Sequence, residues 1–146
     1  MTPEVCRSFA RYNRWMNHKI YASAARLSDH ERKRDRGAFF GSIHTVMNHI
    51  LVADRIWLGR LAGRVPEPGF IGVDGIKTLD QEIAPDFDEL CRQRERTDDA
   101  IATWSDTLTD DSLAGTFRMV RNDAPRDLPL WWAVTQLFNH QTHHRG

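Results

Sequence analysis

The sequence predicts an all-α fold, a four-helix bundle with a long connection between its second and third helices, and three observations carry that prediction. Apolar residues recur at three- and four-residue steps in four separate stretches, the signature of amphipathic helices. Sustained apolar/polar alternation, which would mark strands, is nearly absent. Residues 64–84 carry two Pro and three Gly with no sustained period, and a connection of that length marks a crossover or a functional lid. At 146 residues the chain is read as one domain, 1–146, large enough to bury a core.

Pro3 opens the first helical segment, where its missing N–H costs nothing. Val5, Phe9, Tyr12, Met16, Ile20 and Ala24 form its expected face, and it ends near Leu27–Asp29. The polar stretch from His30 to Gly37 reads as a solvated connection. Ser42 caps the second segment, Ile43, Val46, Ile50, Ala53, Trp57 and Leu61 form its stripe, and Gly63 stops it. A third segment runs from about Asp86 to Leu108 with Phe87, Leu90, Ile101, Trp104 and Leu108 on one face. Arg94 and Thr97 interrupt that face, which implies a groove or a bundle edge. Asp, Gly and Pro break residues 109–128, so the stretch Thr116–Val120 reads as a short hairpin or an irregular arm. The last segment restarts at Leu128 or Pro129, and Leu130, Ala133, Leu137, His140 and His144 share one helical face.

Composition narrows the function. Twenty basic against twenty acidic residues give zero net charge, which argues against a nucleic-acid partner. No apolar run approaches the roughly 20 residues of a membrane span, so no membrane partner is expected. The N-terminal MTPEVCRSFARYN has no apolar signal core, and Cys6 and Cys91 make no disulfide framework, so a cytoplasmic location is expected. Trp and Phe exceed what a single core of this size buries, which predicts a homodimer.

Seven histidines are many for this length, and five fall into two groups. His140 and His144, four apart on one helix, differ by only about 40° in direction and about 6 Å in height. Two imidazoles so placed can ligate one ion. The third ligand must come from another helix. His49 lies three and four residues from Val46 and Ala53 and so borders the apolar face; His44 is about 140° away round the helix, so one ion cannot easily use both. His143 points away from His144. Three neutral imidazoles leave an ion its full charge and an open position for water, hydroxide or thiolate. The plainer reading makes these core histidines that satisfy a carbonyl, with Asn48 and Asn139 as hydrogen-bonding neighbours. Trp57, Trp131 and Trp132 read as core or interface, Asp54 and Arg55 as a solvated face with one interhelical pair, and Tyr12, Asn13 and Trp15 as packing residues.

Tyr12-Asn13-Arg14-Trp15, the run His49-Ile50-Leu51-Val52-Ala53-Asp54-Arg55-Ile56-Trp57 and the run Phe138-Asn139-His140-Gln141-Thr142-His143-His144-Arg145-Gly146 together resemble the DinB (DinB/YfiT-like) family. The resemblance covers essentially the whole chain, and the second and third motifs at this separation carry its specificity. It implies a four-helix bundle with an unusual connection, a dimer, and a divalent metal held by three histidines, which fall on His49, His140 and His144. Better-understood relatives are thiol-dependent transferases or isomerases that use a low-molecular-weight thiol; many others have no assigned reaction. Family members usually continue past the HHRG motif, so the end of the fourth helix reads as truncated and His144 as loosely held.

The expected function is therefore a metal-dependent transferase or isomerase that joins a small thiol to an electrophilic substrate. Zn, Ni, Cu, Fe or Mn can serve. No residue is assigned to an organic cofactor, and the catalytic residues are not identifiable from sequence. The alternatives are a non-enzymatic dimeric helical bundle that binds metal or a small ligand, and a plain dimerisation module with vestigial histidines.

Overall fold

The computed structural model describes residues 1–64, 70–121 and 124–146. Pro66, Pro68 and Gly69 of the long connection, and Asn122 and Asp123 of the expected arm, lie outside them. Among the described residues the chain forms α1 (Pro3–Ala24), α2 (Asp29–Lys33), α3 (Ile43–Leu61), α4 (Phe87–Asp106), α5 (Asp110–Ala114), β1 (Thr116–Arg121), β2 (Ala124–Pro129) and α6 (Leu130–Arg145). Helix α1 packs against α4 and α6, and α3 packs against the same two. No helix among the described residues is long and apolar enough to cross a membrane.

The fold is mostly helical, and the all-α expectation needs correcting. Strands β1 and β2 pair antiparallel, with Phe117 opposite Leu128 and Met119 opposite Arg126. Pro125 and Pro129 deny this stretch a helical ladder, and Phe117 is buried while Thr116 and Arg118 on either side are exposed, a period of two. Two further boundaries differ from expectation. Helix α1 stops at Ala24, and the segment read as a solvated connection opens with α2, which Ser28 caps by accepting from the Glu31 amide. Five residues of helix carry too little apolar pattern to be seen in a sequence.

The start and stop of α3 follow the local chemistry. Ser42 accepts a hydrogen bond from the Thr45 amide, a cap worth about 1 kcal/mol. At the other end Gly63 sits at φ +73°, the left-handed region, so that its N–H reaches Arg60 O and the Arg64 N–H reaches Gly59 O. The long connection that follows is not a loose loop: Ile76 and Ala84 are fully buried. Asn48 holds it, accepting from the Ala84 amide at 2.9 Å and donating to the Ala84 carbonyl at 3.1 Å. His44 Nε2 lies 3.0 Å from both that carbonyl and the Glu82 carboxylate.

The buried face of α1 is rotated from the expected one. Pro3, Cys6, Ala10, Asn13, Asn17 and Ala24 are buried, whereas Val5, Phe9, Tyr12 and Trp15 are 41–53% exposed. The reason lies in the middle of the core. Along each long helix an apolar layer, a polar layer and a second apolar layer follow in turn: Cys6 and Ala10, then Asn13 and Asn17, then Ala24 on α1; Phe87 and Leu90, then Arg94 and Asp98, then Ile101 on α4. On α3, Leu51 and Leu58 flank Asp54. Helix α1 turns its asparagines, not its aromatics, towards that polar layer.

Candidate metal centre

Two helices bring three imidazoles together. His49, buried on α3, places Nε2 at 3.3 Å from His140 Nε2 and 3.2 Å from His144 Nε2, both on α6. One ligand-capable atom from each of the three lies within 4.8 Å of the others. The i,i+4 spacing on α6 aligns the two rings, with centroids 4.4 Å apart. His44 goes to the long connection, and His143 stays outside the cluster with its ring 4.8 Å from that of His144.

The hydrogen bonding fixes which nitrogens face inward. Leu79 O is an acceptor only, so His49 Nδ1, 2.9 Å away, carries the hydrogen and donates to it. His49 Nε2 is then a bare lone pair. One lone pair can accept one N–H, yet two neighbouring Nε2 atoms crowd it, so the three rings cannot satisfy one another. A cation can satisfy all three. Zinc–nitrogen bonds of about 2.0–2.1 Å set tetrahedral ligand nitrogens about 3.3–3.4 Å apart, close to the separation of His49 Nε2 from each of the other two. The donor set therefore fits a divalent ion, and the Leu79 carbonyl acts as the outer partner that orients His49.

Electrostatics point the same way. Burial, reinforced by His144, His49 and His143, pushes His140 down to about 4. Burial and the neighbouring imidazoles also lower His144. Both rings are thus neutral at ordinary pH and offer lone pairs. His140 Nδ1 is buried without a partner among the described residues. Phe40, from the turn before α3, stacks on His49 with centroids 4.0 Å apart and covers one side of the cluster.

The last turn of α6 is not loosely held. Arg145 donates to Asn13 Oδ1 at 2.5 Å, Asn17 Oδ1 at 3.1 Å and Gln141 Oε1 at 3.1 Å, tying the turn that bears His144 to α1. Asn17 in turn donates to Asp98 at 3.0 Å and to Gln141 at 3.2 Å. Asp98 and Asp54 share Arg94, at 2.9 and 2.6 Å. Asp54 is fully buried and not on a solvated face, while Arg55 beside it bonds Gln93 and Asp74. Burial pushes the Asp54 carboxyl up to about 7 against the pull of Arg94, because one guanidinium serves two acids and Asp54 Oδ1 has no partner among the described residues. Burial alone would lower Arg94, but Asp54 and Asp98 more than reverse it and keep the guanidinium charged.

Sequence reasoning missed this network, the Leu79 carbonyl and Phe40. One signal was available for the first: Arg94 and Asp98 are four residues apart inside an otherwise apolar stripe, which is where an ion pair belongs if it is buried. Compared with known proteins, no curated sequence matches the chain. The model of the DinB family matches it over residues 1–146.

Proposed function

The chain belongs to the DinB family, and from that premise we propose that His49, His140 and His144 hold one divalent ion through their Nε2 atoms for a reaction between a low-molecular-weight thiol and an electrophile. The observation that carries this reading is the convergence of three Nε2 atoms with His49 oriented by Leu79. A divalent ion so held supplies Lewis-acid chemistry, lowering the pKa of a bound water or thiol.

The protein's own part is positioning and shielding. Leu79 fixes the tautomer of His49, Arg145 holds the turn that presents His144, and Phe40 keeps water from one side of the cluster. Neither cysteine offers itself as a covalent nucleophile. Cys6 is buried and Cys91 half-buried, and burial raises both thiols above their ordinary range. The attacking thiol is therefore a second small molecule.

We read the four long helices as one bundle domain and the exposed Val5, Phe9, Tyr12 and Trp15 as part of a homodimer face. A clean monomer in sedimentation at micromolar concentration would remove the dimer. A second reading, a bundle that binds metal or a small ligand without turnover, is favoured by Phe40: the neighbour stacked on the triad supplies bulk and no proton-transfer group.

Metal analysis of protein purified without an affinity tag tests the site, with one ion per chain expected and lost on His49→Ala. Thiol consumption against a panel of electrophiles then separates enzyme from binder. A metal-loaded protein that consumes no thiol leaves the binding reading, and a protein that takes up no metal after supplementation overturns both.

A further inference from the structure

The turn between α2 and α3 holds a phenyl ring in the open. Phe39 is 96% exposed, the most exposed large apolar side chain among the described residues. Its backbone is well tied. Gly41 N–H donates to Ala38 O at 2.8 Å, Arg36 N–H donates to Gly41 O at 2.8 Å, and Asp35 accepts from the Gly37 amide at 2.9 Å. Gly37 and Gly41 take φ of +72° and +74°, a region that glycine enters without strain, so the turn is built to this shape. Phe39 meets Phe40 edge-on at 4.9 Å, and Phe40 is the ring stacked on His49. The aromatic pair therefore runs from open solvent to the triad.

A cleft of about 400 Å³ lies along this pair, lined by Ala38, Phe39, Phe40, Val46, His143 and His144. One of its walls is thus a member of the triad. None of the six is Asp, Glu, Lys or Arg, so these walls offer no counter-charge to a carboxylate or phosphate. They offer apolar surface and two imidazoles. Small-molecule sites have this character, mostly apolar walls with a few placed polar groups.

We propose that the Ala38–Phe40 turn is the specificity wall of the site, taking the uncharged aryl or bulky alkyl group of a small ligand whose donor atom sits at the triad. The proposal rests on the metal reading for the donor atom and on the turn alone for the apolar group. It places the selectivity of the protein in Phe39 and not in a charged pocket. Phe39 is 96% exposed and belongs to none of the core clusters among the described residues, so replacing it should leave the fold intact.

The test uses cobalt(II)-loaded protein and three thiols, followed by the thiolate-to-cobalt absorption band. Benzyl mercaptan should bind at least about tenfold tighter than 2-mercaptoethanol, and 4-(mercaptomethyl)benzoate, whose carboxylate is too far from its sulfur to chelate the cobalt, should gain nothing from its charge. Phe39→Ala should bring benzyl mercaptan to within about twofold of 2-mercaptoethanol, whose own affinity should not change. Equal affinities in the parent protein, or a preference that survives Phe39→Ala, would overturn the proposal. So would a Phe39→Ala protein whose sedimentation changes while its thiol preference does not, since a second copy would then cover the ring. A second arm needs no metal. Benzyl alcohol titrated onto the metal-free protein should shift the backbone amides of residues 36–42 saturably, and should not do so in Phe39→Ala. If cobalt fails to bind, the metal reading falls and this arm alone decides the wall.

Discussion

The histidine triad and the Asp54–Arg94–Asp98 network are both polar clusters assembled from helices distant in sequence, yet their chemistry differs in kind. The network mixes donors with acceptors: a guanidinium between two carboxylates, an asparagine amide on one of them, and Arg145 on two asparagines and a glutamine. Its charges are complementary, so it reads as structure, although Asn13 Nδ2, Asp54 Oδ1, Arg94 Nε and Gln141 Nε2 find no partner among the described residues. The triad converges three lone-pair atoms, of which His49 Nε2 cannot be a donor because its Nδ1 serves Leu79. Its members answer one another only in part, since at most one neighbour can donate to the His49 Nε2 lone pair. A buried polar cluster that is complementary within itself reads as architecture, and one that is not reads as a site for something else.

The largest effect should come from the architectural side. Arg94→Met leaves Asp54 and Asp98 buried without their cation, and breaking a buried pair in this way costs about 3–5 kcal/mol. Urea unfolding measures it, and adding Asp54→Leu should recover much of the loss. A single-variant cost under about 1 kcal/mol would mean that the network is solvated and the comparison misplaced.

Next in size is the loss of metal linkage. At a hundredfold excess of ion over its dissociation constant, binding should stabilise the fold by about 2.7 kcal/mol. Alanine at His49, His140 or His144 should abolish that gain, while His30→Ala on the exposed α2 should keep it. A melting curve indifferent to chelator in the parent protein would place the triad with the architecture.

The two regions meet at Arg145, which belongs to the network through Asn13 and Asn17 and adjoins His144 in the chain. Arg145→Met should therefore weaken metal binding by about tenfold or less, the low end of the range for an outer partner, because Arg145 acts on His144 only through the turn. Amide exchange should also quicken over residues 142–146 and remain slow on α3. Unchanged affinity would show that the turn holds its shape without the clamp.

The triad was legible in the sequence and the network was not, for a physical reason. His140 and His144 share a face by local arithmetic, and His49 borders the stripe of its own helix, so each points inward on evidence within a few residues. Asn13, Asn17, Asp54 and Gln141 are polar residues whose burial makes sense only through one another, across helices. Nothing near Asn13 in the sequence announces Arg145. The face of α1 was misread for the same cause: Phe9 and Tyr12 look like core residues until the asparagines are known to have partners. The strands were half legible, since Pro125 and Pro129 excluded helix without specifying the pairing.

The smallest expected effect separates the two regions by pH in chelator-treated protein. Between about 6.5 and 4 the unfolded chain binds a proton on His140 that the fold refuses, because burial holds that ring down to about 4. The stability contributed by neutral His140 is complete above 6.5 and is lost as pH falls towards 4. Asp54 works in the opposite direction. Its carboxyl is raised to about 7, so from 7 down towards the ordinary carboxylate range the fold holds a proton that the unfolded chain lacks, and stability rises as pH falls. One pKa unit corresponds to about 1.4 kcal/mol, but His140 is partly exposed and the two effects oppose each other, so the parent protein should change by only about 1 kcal/mol across this window. Asp54→Asn should unmask the fall, and His140→Ala should unmask the rise. Urea midpoints at pH 7, 5.5 and 4 for the three proteins measure this. Three parallel profiles would show that neither buried group titrates with folding, and the electrostatic contrast between the two regions would be lost.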